Sequence, residues 1–149
     1  MLVLPIPMVA SLAILLLLAR CLSRRDRSWL FVALLALAAA QGVLVSLVQH
    51  YGVAALRPVQ PVTATLLPPL AWLTFTASAR RRLRADRDAW HLAIPAATFA
   101  IMLMAPGLLD LWIPAVFAAY GGAMLLPLRQ RDALALARLD AGGQPERVW

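Results

Sequence analysis

Residues 29–48 read WLFVALLALAAAQGVLVSLV, and this stretch decides the fold because it contains no charged side chain. A helix rises ~1.5 Å per residue, so a helix of this length spans ~30 Å, the thickness of the hydrocarbon core of a bilayer. Trp29 stands at the boundary, where an indole ring can lie half in lipid and half in water. The stretch therefore predicts a membrane-spanning helix.

Four further apolar runs flank this stretch, at residues 2–22, 59–77, 90–104 and 109–128. Over the whole chain, 62% of the residues are hydrophobic and 14% are charged, and the mean hydropathy is +0.78. A water-soluble domain is nearer about one half hydrophobic and about one quarter charged, and a small domain cannot bury such an apolar excess. We therefore predict an all-α, multi-spanning transmembrane helical bundle over residues 1–128, followed by a basic tail over residues 129–149.

The basic residues indicate how the bundle is oriented. All 14 of them are arginines, and they leave a net charge of +7. The first connection, the third connection and the tail are rich in arginine, whereas the second connection holds only Arg57 and the fourth holds none. Short loops rich in arginine stay in the cytoplasm, which predicts an N-terminus outside, five crossings and a cytoplasmic C-terminus. Binding of these arginines to anionic lipid or to a nucleic-acid backbone is the alternative to a purely topological role.

Glycine and proline mark the places where helices should end or bend. Tyr51-Gly52 predicts the end of the second helix, and Arg57-Pro58 predicts the start of the third. Pro68-Pro69 falls inside the third run, where the lost backbone hydrogen bonds predict a kink packed against neighbouring helices. Residues 105–107, Ala-Pro-Gly, predict the turn of a hairpin between the fourth and fifth helices.

No catalytic motif is visible, so we predict a protein that is not an enzyme and needs no cofactor. Cys21 is the only cysteine, and His50 and His91 stand at the ends of spans without an evident second ligand, so no metal site is predicted. Polar residues on the outer side of the second and third helices form a candidate ligand-binding cluster: Gln41, Gln49, His50, Tyr51, Arg57 and Gln60. Polar groups in lipid are costly unless they are paired, so this cluster indicates a ligand pocket. Hydrogen bonding from helix to helix is the simpler explanation of the same residues.

A proline-spaced block runs from Arg57 to Trp72, within the segments LRPVQP at residues 56–61 and LLPPLAWL at residues 66–73. Together with the LPIP opening at residues 4–7, it resembles the N-terminal membrane region of a group of proteobacterial AraC-type transcriptional regulators. In that group a bundle of about seven spans precedes a cytoplasmic helix-turn-helix domain that binds DNA. The likeness covers nearly the whole chain, but this chain ends at Trp149 without a helix-turn-helix segment.

The resemblance implies a membrane-embedded sensory or anchoring region of such a regulator, in the bacterial inner membrane and lacking its DNA-binding domain. The expected partners are the lipid bilayer, a small ligand at the outer face or within the bundle, another copy of the chain, and DNA only through the missing domain. The alternative is a small stand-alone inner-membrane protein, such as a transporter component or an accessory subunit.

Overall fold

The computed structural model of the chain describes residues 4–24, 28–79 and 88–140, with side chains through residue 127. Throughout these ranges the regular structure is helical and no strand occurs, which confirms the all-α class. The arginine runs at residues 25–27 and 80–87, and the last nine residues of the predicted tail, lie outside the described residues.

The main helices follow the apolar runs closely. They are α1 (Ile6–Leu22), α2 (Trp29–Val45), α3 (Val59–Ala79), α4 (Ala93–Met104) and α5 (Leu109–Asp140). The fifth helix is longer than its apolar run, because it continues past residue 128 to Asp140. Residues 129–139 are mostly arginine, alanine and leucine, all strong helix formers, so the predicted boundary between bundle and tail is not the end of a helix.

The second helix ends where its sequence predicts. Residues Ser46–His50 form a π-helical turn, and the Tyr51 N–H donates to the Ser46 carbonyl over 3.2 Å. Gly52 follows with φ of 69°, a left-handed conformation that glycine adopts without a steric penalty. The predicted helix stop at Tyr51-Gly52 and the restart at Val59 are both confirmed.

The third helix lies at the centre of the packing, since it contacts α2, α4 and α5. It runs from Val59 to Ala79 through both Pro68 and Pro69, and both prolines are buried. Pro68 faces a small cavity that Leu34 of α2 and Phe117 of α5 also line. The helix therefore continues through both prolines, and the predicted packing of the prolines against neighbouring helices is confirmed.

The contact between α1 and α2 depends on small residues. A Cβ atom built on Gly42 would lie 2.8 Å from the Pro7 carbonyl oxygen and would also collide with the Ser11 hydroxyl. That hydroxyl donates to the Pro7 carbonyl over 2.8 Å, and Ser11 is 1% exposed. The backbones of the two helices approach each other closely because position 42 carries no side chain.

Burial in the described residues is inverted relative to a water-soluble protein. Outside proline, four hydrophobic residues are buried: Ala39, Val48, Val116 and Tyr120. Nine polar or charged residues are buried: Ser11, Gln41, Ser46, Thr65, Thr74, Thr76, Asp88, His91 and Thr98. In contrast, Ile6, Met104 and Leu111 are 85%, 86% and 73% exposed. Large apolar side chains thus face outward while hydroxyl groups are buried, mostly bonded to backbone carbonyls of their own helices, the reverse of the usual preference in water.

Two helical segments in the described part of the chain are long and apolar enough to cross a bilayer. Trp29–His50 and Pro106–Pro127 each contain 22 residues, with mean hydropathies of 2.4 and 1.5. Ile6–Leu22 and Ala89–Met104 are apolar but shorter. A helix of this longer length extends ~33 Å, slightly more than the ~30 Å hydrocarbon core.

Candidate functional site

The predicted polar cluster divides into a buried part and an exposed part. Gln41 on α2 is buried, and its Nε2 donates to the Gln60 carbonyl oxygen of α3 over 3.2 Å. The Thr63 hydroxyl donates to Gln41 Oε1 over 2.6 Å. Both ends of the Gln41 amide are thus used to join α2 to α3, as expected of a helix-to-helix link.

The remaining candidates lie on the surface at the end of α2 and in the connection to α3. All four are exposed: Gln49, His50, Tyr51 and Arg57. The rings of His50 and Tyr51 meet edge to face, with centroids 5.0 Å apart. The structure therefore brings Gln41 and Gln60 together and leaves the other four at the surface.

A different group of side chains lines an open cavity of about 350 Å³ beside α3 and α5. Three aromatic side chains, a histidine and a carboxylate line it: Trp72, Trp90, Tyr120, His91 and Asp88. The size lies within the range of small-molecule sites, ~300–1,000 Å³. We call this the aromatic cavity.

His91 and Tyr120 form the polar centre of the aromatic cavity. His91 Nδ1 lies 2.6 Å from the Tyr120 hydroxyl, and both residues are buried. Their ring centroids are 5.5 Å apart, and the centroids of the Trp90 and His91 rings are 4.2 Å apart with an interplanar angle of 31°. The histidine ring therefore contacts two aromatic neighbours, and a short hydrogen bond to Tyr120 fixes its orientation.

The α4–α5 hairpin creates this arrangement. Trp112 Nε1 donates to the Thr98 hydroxyl over 2.9 Å, near the turn. The second contact joins His91, seven residues before Thr98, to Tyr120, eight residues after Trp112. Nearly equal steps in opposite directions are expected of two antiparallel helices, and the midpoint between the paired residues lies at residues 105–106, just after α4 ends. The hairpin turn predicted at residues 105–107 is confirmed.

The two alanines on α5 that line the aromatic cavity provide its space. Ala119 and Ala123 flank Tyr120 in the helix and present only methyl groups to the cavity. Trp72 lines the aromatic cavity from α3. Asp88 also lines it and is 8% exposed. The wall is therefore mostly apolar, with a buried carboxylate and the His91–Tyr120 pair as its polar groups.

Arginines line a second cavity of about 420 Å³ at the α1–α2 connection. Arg20 and Arg24 contribute the charge, while Leu17, Phe31 and Leu35 contribute apolar walls. Guanidinium groups beside apolar side chains suit the boundary between lipid chains and headgroups.

Sequence reasoning missed the aromatic cavity because its members are far apart along the chain. His91 looked isolated at the end of a span, and its partner Tyr120 follows 29 residues later. Counting outward from the predicted turn at residues 105–107 would have placed position 91 opposite position 120, which is the signal that was available. In the ranges that the structure describes, no group of three or more histidine, cysteine, aspartate or glutamate side chains could hold a metal ion.

Comparison with protein-family models, with curated proteins and with solved structures finds nothing that matches this chain.

Proposed function

We propose that the chain is an integral membrane protein whose five helices each cross the bilayer. The inverted burial supports this proposal, because exposed leucine, isoleucine and phenylalanine side chains are stable in lipid and buried hydroxyl groups find partners within the bundle. Every buried side-chain nitrogen or oxygen in the described residues has a hydrogen-bond partner. The short α4 spans the core only if its preceding 3₁₀ turn, Ala89–Leu92, contributes to the crossing.

In this proposal the N-terminus lies outside and the C-terminus lies in the cytoplasm. The arginine-rich connections after α1 and α3 are then cytoplasmic. The connection at residues 51–58 and the turn at residues 105–107 are then extracytoplasmic. The aromatic cavity belongs to the cytoplasmic half of the bundle, because Asp88 and His91 follow the third connection.

Cysteine labelling tests this topology. In a Cys21→Ser background, Val53→Cys and Gly107→Cys should react with a membrane-impermeant maleimide on intact spheroplasts. Ser28→Cys, in the first connection, should react only after the membrane is opened. All three positions are exposed, so accessibility to water from one side is what the assay compares. Labelling of Gly107→Cys only in opened membranes would exclude the five-span arrangement.

We propose further that the bundle is the sensory or anchoring region of an AraC-type transcriptional regulator. The proline-spaced block that resembles this group lies at the start and middle of α3, the helix at the centre of the packing. The observation that carries a signalling role is the continuity of α5 from the aromatic cavity at Tyr120 to Asp140. Twenty further residues of helix extend ~30 Å.

A ligand in the aromatic cavity would act by favouring one packing of α5 against α3. A ligand shifts such an equilibrium only by its difference in affinity for the two packings. Since α5 is one continuous helix that contains Pro127 between Tyr120 and Asp140, a rotation or shift at Tyr120 would reach its cytoplasmic end through this proline.

The regulatory role is tested at the locus and in the cell. The reading frame should continue past codon 149 into a helix-turn-helix segment, and its deletion should change the transcription of a defined set of genes. A stable 149-residue product whose deletion alters the uptake of a solute, with unchanged transcription, would favour the stand-alone membrane protein instead.

A further inference from the structure

We propose that the aromatic cavity binds a small organic ammonium cation. The proposal rests on the side chains that line the cavity and requires neither the transcriptional role nor the membrane orientation. Its occupant is defined by chemistry, as an alkylammonium group carried either by a free amine or by the headgroup of a phospholipid.

The aromatic side chains carry the first argument. Trp72, Trp90 and Tyr120 all line one cavity, and tryptophan and tyrosine rings are the best π-faces for a cation. An aromatic cage recognises alkylated ammonium groups because each ring face attracts positive charge while its carbon surface contacts the alkyl groups. A neutral apolar ligand would need the same surface but would gain nothing from the ring electrostatics.

The buried carboxylate carries the second argument. Asp88 lines the same cavity and is 8% exposed. An ionised carboxylate has about four acceptor positions on its two oxygens, so it can keep its protein partners and still face a ligand cation. When this carboxylate is ionised, its charge favours a cation over a neutral ligand of the same shape.

The size and access of the cavity agree with this class of ligand. Its volume of about 350 Å³ exceeds that of a tetramethylammonium or choline group and leaves room for a short alkyl substituent. Trp90 is 61% exposed, so the ring on that side stands at the entrance. The His91–Tyr120 pair supplies a hydroxyl beside the cavity, which suits a ligand with its own polar group.

Isothermal titration of the purified full chain tests the proposal. The chain is kept in a maltoside detergent, because phosphocholine detergents carry the cation under study. The probes are choline, tetramethylammonium and 3,3-dimethylbutan-1-ol, which is the uncharged isostere of choline. Choline should bind at least ~10-fold more tightly than the isostere, because only the cation gains cation–π and carboxylate attraction. Equal binding of the two, or no binding of choline, would overturn the proposal.

Two variants test whether choline binds in the aromatic cavity. Trp90→Leu and Asp88→Asn should each weaken choline binding by ~3- to 30-fold, the range expected from loss of one cation contact. Trp29→Leu is the matched control, since Trp29 is 66% exposed and does not line the aromatic cavity. It should leave choline binding unchanged. The far-ultraviolet circular dichroism of all three variants must match that of the parent chain, and unchanged binding in both cavity variants would place the cation elsewhere.

Lipid nanodiscs distinguish the two sources of the cation. If a phospholipid headgroup occupies the cavity, added choline should bind more weakly in discs that contain phosphatidylethanolamine than in discs of phosphatidylglycerol alone. Equal affinity in both assigns the cavity to a free amine. Binding to the purified chain with no effect of deletion on transcription would refute the regulatory role and leave this inference intact.

Discussion

Replacement of Gly42 by alanine adds one methyl group at the closest contact between α1 and α2. The new Cβ atom would lie 2.8 Å from the Pro7 carbonyl oxygen and would collide with the Ser11 hydroxyl. Ordinary contacts of a Cβ atom begin at 3.4 Å. The carbonyl belongs to the backbone and cannot rotate away, so the helices must separate.

The magnitude follows from two opposing effects. Inserting a methylene-sized group into a well-packed contact costs about 1–3 kcal/mol, while alanine is favoured over glycine within a helix by about 1 kcal/mol. Gly122→Ala is the matched control, because nothing lies within 4 Å of its Cβ position in α5. Helix propensity favours both variants, so Gly42→Ala should be less stable than Gly122→Ala by about 1–3 kcal/mol.

The assay is unfolding of the full chain in mixed micelles by increasing sodium dodecyl sulfate, followed by far-ultraviolet circular dichroism. Combining Gly42→Ala with Ser11→Ala should recover part of the loss, because the second change removes one of the two colliding groups. A Gly42→Ala chain as stable as Gly122→Ala would show that α1 and α2 do not pack through this contact.

The same titration checks three further expectations. Gln41→Leu should lower the free energy of unfolding by about 0.5–2 kcal/mol through loss of its bonds to α3, whereas Gln49→Leu, at an exposed position, should change it by less than about 0.5 kcal/mol. Thr98→Val should be more destabilising than Trp112→Phe, by up to about 2 kcal/mol. Thr98→Val leaves the Trp112 indole N–H without its partner, whereas in Trp112→Phe the Thr98 hydroxyl keeps its bond to the backbone. Tyr120→Phe should cost about 0.5–1.5 kcal/mol and should change the near-ultraviolet dichroism; an unchanged stability and spectrum would contradict the hydrogen bond to His91.

The helices could be read from the sequence because each one depends on local chemistry. An uninterrupted apolar run of the right length forms a helix wherever backbone groups must pair internally. Gly52 ends α2 because it can adopt positive φ, and proline at position 58 precedes α3 for a similarly local reason. Two adjacent prolines predict a kink in α3, and the helix runs through both of them, packed against its neighbours.

The candidate site could be read only in part. Gln41 was identified as a residue that faces other helices, and its bonds to Gln60 and Thr63 agree with that reading. That Gln49, two turns further along, would remain exposed could not be predicted, because the polar face of α2 extends beyond the part that α3 covers. Which polar residues of a helix are covered depends on the length and position of the helix that packs against it.

The run at residues 29–48 by itself determined that this chain forms long apolar helices, and the other runs determined how many. The tertiary structure alone decided that Trp72 and Asp88 line the same cavity as the His91–Tyr120 pair. Hydrophobic length is a property of consecutive residues and is visible in any sequence. Contacts between helices depend on rotation and register, and in an apolar chain many registers bury similar surfaces, so a few hydrogen bonds and small residues select one.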